Sequence, residues 1–115
     1  MKNLTTINHL KEQFSIENFV EKTVNQFNKD ALGLINEKID VPLLDSPNVL
    51  ELLITEVKQL LKMLNDTSNL QQFIYKVDLN EKKWCYFTAF QNYDTLAEEV
   101  IIREAQKVYL RELFK

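Results

Sequence analysis

The chain is predicted to be all-α, a small irregular bundle of four or five helices, and three observations predict it. Apolar residues recur at three- and four-residue intervals through most of its 115 residues. It has one glycine and two prolines, too few for the turns of a sheet protein. No Asn-Gly or Asp-Gly pair marks a hairpin. The length suits one domain over 1–115 that buries about 65% of its unfolded surface without disulfides or metals.

Residues 1–14 carry Leu4, Ile7, Leu10 and Phe14 at helical spacing among weak helix formers, so a short or frayed helical arm is expected. Ser15 is placed to cap a helix over 16–35. Ile16, Phe19, Val20, Val24, Phe27, Ala31, Leu34 and Ile35 share one side of it, and Gly33 lies where it ends. The stretch 36–47 has no helical period, and Ser46-Pro47 reads as an N-cap followed by proline in the first turn.

The block 47–65 has the broadest apolar face, with Val49, Leu50, Leu53, Ile54, Val57, Leu60, Leu61 and Leu64 filling half the wheel. It is therefore expected to be the central and most buried helix. "NDTSN" is a turn, after which Leu70, Phe73, Ile74 and Val77 predict a helix over 69–77. Asp78 with Glu81 reads as a capping box for a further helix within 79–90, although the aromatic density of "CYFTAF" also suits a strand. Thr95 with Glu98 offers the last capping box, opening a helix over 95–114.

That last helix is apolar on two sides. Ala97, Ile101, Ile102, Ala105, Val108, Tyr109 and Leu113 form the main stripe, and Leu96, Val100, Leu110 and Phe114 a second strip. Arg103, Lys107 and Arg111 follow the second strip one turn apart. Glu99 with Arg103, and Glu104 with Lys107, have the spacing of surface ion pairs.

No constellation carries recognisable chemistry. With His9 the only histidine, a histidine-rich metal site is excluded, and the glycine count excludes a phosphate-cradling loop. Cys85 has no partner for an internal disulfide and reads as a small core residue. Trp84, Tyr86, Phe87, Phe90 and Tyr93 read as closing one end of the core. Glu98 and Glu99 diverge on a helix and form no acid–base pair. No cofactor is expected, and an enzyme has no positive signal.

The formal charge of −3 gives no long-range attraction to nucleic acid or anionic lipid. No apolar run approaches a membrane span or a signal-peptide core, so a cytoplasmic address and no membrane insertion are expected. The expected function is a protein–protein interaction or assembly module, self-associating as a homodimer or binding another protein. Its candidate interface is Val100, Arg103, Lys107, Leu110, Arg111 and Phe114. The alternative is a weak nucleic-acid contact through Arg103, Lys107 and Arg111, and the third an enzyme without a sequence signature.

Overall fold

The computed structural model describes residues 19–39, 49–79 and 92–113. They form four helices: α1 (Phe19–Ala31), α2 (Val49–Asp66), α3 (Leu70–Val77) and α4 (Tyr93–Leu113). No strand occurs among the described residues, as the all-α prediction requires. The expected arm 1–14, the Ser15 and Ser46-Pro47 boundaries, and the helix within 80–90 with its aromatic cluster lie outside them. So do His9, Cys85 and Phe114.

The helical periodicity selects most of the core in the first three helices, although Val49 and Ile54 are only half-buried and Thr23 and Asp30 are buried without apolar spacing to mark them. Phe19, Val20, Val24, Phe27 and Ala31 of α1 are buried, as are Leu50, Leu53, Val57, Leu60, Leu61 and Leu64 of α2. All four apolar positions of the short α3 are buried too. Phe27 and Phe73 meet edge to face at 5.1 Å between ring centroids, joining α1 to α3 in the quadrupole-favoured geometry.

The central helix is α4 rather than α2. It packs most extensively on α2, then on α1, and also on α3. The reason lies in the two apolar sides of α4, since a helix apolar on two sides packs against neighbours on both. By contrast, α2 has one broad apolar face and leaves Glu51, Leu52, Thr55, Glu56 and Gln59 exposed. Width of a single face is a poorer guide to centrality than a pattern that occupies two faces.

Helix ends follow local chemistry. α1 stops at Ala31, short of the expected residue 35, because Gly33 enters the left-handed region at φ 84°. The Leu34 and Ile35 amides then bond back to the Ala31 carbonyl. The Asn28 side chain makes two 2.9 Å bonds with the backbone of Ile39, fixing the segment that follows. Ser68, at φ 63°, turns the chain between α2 and α3. Asn69 then donates to the Leu34 carbonyl at 2.9 Å, tying that turn to the end of α1.

Two expected caps are reassigned. α4 opens at Tyr93, and its N-cap is Asn92, whose Oδ1 accepts from the Thr95 amide at 3.3 Å. Asp78 closes α3 instead of opening a helix: it is left-handed at φ 67°, and its amide bonds to the Ile74 and Tyr75 carbonyls.

Candidate functional site

The basic row of α4 faces its own neighbours. Arg103 donates to the Asp78 carbonyl and, at 2.9 Å, to its carboxylate, so it clasps the end of α3. Arg111 donates to Gln26 of α1 at 3.1 Å. One residue further, Glu112 accepts from Lys22 at 2.7 Å. Residue numbers rise along α4 as they fall along α1, so the two helices run antiparallel, and the row is a ladder from α4 to α1 and the end of α3.

Lys107 occupies the middle of this ladder, where three helices meet. Its ammonium donates to Asp30 Oδ2 at 2.7 Å, to the Lys76 carbonyl at 2.9 Å and to Glu104 Oε1 at 3.1 Å. An ammonium has three protons, and all three are engaged. The electrostatics explain the position. Asp30 lies in the last turn of α1 and Lys76 in the last turn of α3, so two negative helix ends converge on one cation.

Glu104 is the exceptional member. The expected surface ion pair with Lys107 exists, yet Glu104 is 0% exposed. Its helix position sets Val100, Ile101 and Val108 around it at i−4, i−3 and i+4, all buried. Burial, reinforced by the hydrogen bond and charge of Asp30 and opposed by Lys107, raises its carboxyl to about 8. Glu104 is therefore mainly protonated at neutral pH. Its Oε2 has no hydrogen-bond partner among the described residues, whereas Oε1 accepts from Lys107. The cluster is neutral in this state, with one carboxylate, one ammonium and one carboxylic acid.

The candidate interface divides accordingly. Val100 is 0% exposed and belongs to the intramolecular core, as does Leu96, so these two residues of the second strip are internal. Leu110 is 45% exposed. Arg103, Lys107 and Arg111 are engaged within the chain. The charged cluster is hidden in the sequence because its i, i+3 spacing is that of an ordinary surface pair. The one signal it leaves there is a Glu with β-branched residues at i−4, i−3 and i+4.

A second feature lies on α3. Tyr75 is 87% exposed and borders an open cleft of about 690 Å³. Leu34, Ser68, Asn69, Gln72 and Lys76 line it with Tyr75, and the Asn69–Leu34 bond fixes the two turns beside it.

Among the described residues no group of three His, Cys, Asp or Glu is placed to hold a metal ion, and no helix is long and apolar enough to cross a membrane. Comparison with family models, curated proteins and solved structures finds no match.

Proposed function

We propose that the chain is a small protein–protein interaction module, with the cleft beside Tyr75 as its contact surface and a peptide segment of another protein as its partner. The observation that supports this reading is Tyr75 itself, an aromatic side chain left 87% exposed beside a concave surface. Tyrosine contributes a large rigid contact area at low entropic cost and is enriched among the residues that dominate interfaces. The side-chain amides of Gln71 and Gln72 offer donors and acceptors to a peptide backbone around it. Internal engagement of Arg103 and Lys107 favours a protein partner over nucleic acid, because their protons already meet acceptors within the chain.

Panning a random-peptide display library on the full chain tests the proposal, with Tyr75→Ala as counter-selection. Enriched peptides should bind the wild type at least about tenfold more tightly than the variant, roughly 1.4 kcal/mol. Failure to enrich, or peptides indifferent to Tyr75, would oppose it.

A second copy of the chain is the other partner with a supporting observation, the exposure of Leu110 at the outer end of α4. Sedimentation velocity separates this version: a monomer at high micromolar concentration opposes it. A dimer abolished by Leu110→Asp supports it.

A further inference from the structure

One group in the interior has no packing rationale. Glu104 takes a fully enclosed site where an apolar residue of similar volume avoids the desolvation of a carboxyl. It is also joined, through Lys107, to the ends of two other helices. A buried titratable group at the meeting point of three helices is placed to make their packing depend on its charge.

We propose that Glu104 is a proton-operated latch: with its proton in place the cluster holds the C-terminal end of α3 against α4, and loss of that proton loosens it. The charged groups acting on Glu104 are Asp30 from α1 and Lys107 from α4 itself. α3 contributes the Lys76 carbonyl, and the Arg103–Asp78 pair lies beside it at the end of the same helix. From α2, Lys58 and Lys62 lie at the other end of α4, where they meet Asp94 and the Tyr93 ring.

The direction of the change follows from counting charges. With Glu104 protonated, Lys107 balances Asp30. When Glu104 ionises, two carboxylates share one ammonium and one of the two is fully buried, leaving an uncompensated negative charge in the interior. The ammonium is then drawn harder towards its two carboxylate partners. Its bond to the Lys76 carbonyl is the one of the three made to an uncharged acceptor, so that bond gives way. α3 is the element that responds because eight residues are too few to hold a helix without tertiary support.

NMR of the intact wild-type chain tests this directly, following the Glu104 carboxyl carbon and the α3 backbone amides from about pH 5 to about pH 10. The carboxyl carbon is expected to titrate with a midpoint near 8. The amides of Lys76, Val77 and Asp78 should shift with the same midpoint. In Glu104→Gln, which keeps a neutral donor at this position, the amide titration should be absent. A Glu104 midpoint in the ordinary carboxylate range overturns the latch. So do α3 amides that ignore a titration near 8, or that show the same one in Glu104→Gln. The wild-type measurement decides the matter even where the variant folds poorly.

Discussion

Lys107 Nζ lies 2.7 Å from Asp30 Oδ2, although 77 residues separate the two in the chain. Asp30 is buried and Lys107 half-buried, so the contact is a partly buried ion pair rather than a freely exposed one. It fixes the register of α4 against α1 at the level where α3 ends. Three predictions concern this cluster or the core around it, and a fourth concerns a helix end.

Stability should fall as pH rises through the neutral range. The folded-state carboxyl of Glu104 is raised from 4.5 to about 8, so the folded chain binds a proton that the unfolded chain has released. The contribution is fully present below about 4.5 and is lost by about 8, with a slope of up to about 1.4 kcal/mol per pH unit between them. Urea unfolding at a series of pH values checks the sign. Glu104→Gln should flatten this dependence, and a wild type that gains stability from pH 5 to about pH 8 would contradict the assignment.

Lys107→Met should cost about 3–5 kcal/mol, because it leaves Asp30 shielded without a cation and the Lys76 carbonyl without its donor. Adding Asp30→Asn should recover part of that loss. A double-mutant cycle by chemical denaturation measures the coupling. Simple additivity of the two substitutions would show that the pair does not act as a unit.

Val100→Asp and Leu110→Asp should behave oppositely. Val100 is enclosed, so an unpaired carboxylate there should abolish cooperative melting followed by circular dichroism. Leu110 is exposed, and its substitution should change stability by no more than about 0.5 kcal/mol. Equal effects at the two positions would contradict the burial pattern of α4.

Asn92→Ala should lower stability by about 1 kcal/mol through loss of the bond to the Thr95 amide. Thr95→Ala should cost less, since the capping oxygen belongs to Asn92. Thermal melts of both variants decide between the two capping assignments, and a larger loss at Thr95 would restore the one expected from Thr95 and Glu98.

The periodic apolar positions make the fold class and the inner faces of α1, α2 and α3 legible in the amino-acid sequence. Leu70, Phe73, Ile74 and Val77 are the plainest case, four predicted positions and four buried side chains. The cap of α4 is harder to read. Asn92 and Thr95 are both good capping residues three positions apart, and local propensity does not choose between them.

The sequence by itself determined that the chain is helical and identified most of the apolar side chains that leave water in those three helices, because both follow from spacing along a single helix; it did not show that Thr23 and Asp30 are buried. It did not determine what Val100, Glu104 and Lys107 would meet. A second apolar strip on α4 is equally consistent with a partner protein and with the chain's own helices, since periodicity describes one helix at a time. Only the tertiary structure decided that Leu96 and Val100 are covered from within. The same packing turned an i, i+3 pair of ordinary surface spacing into a buried acid beside a three-way cation. The physical reason is that burial and charge coupling are properties of the space between helices, and that space exists only once α1, α3 and α4 have come together.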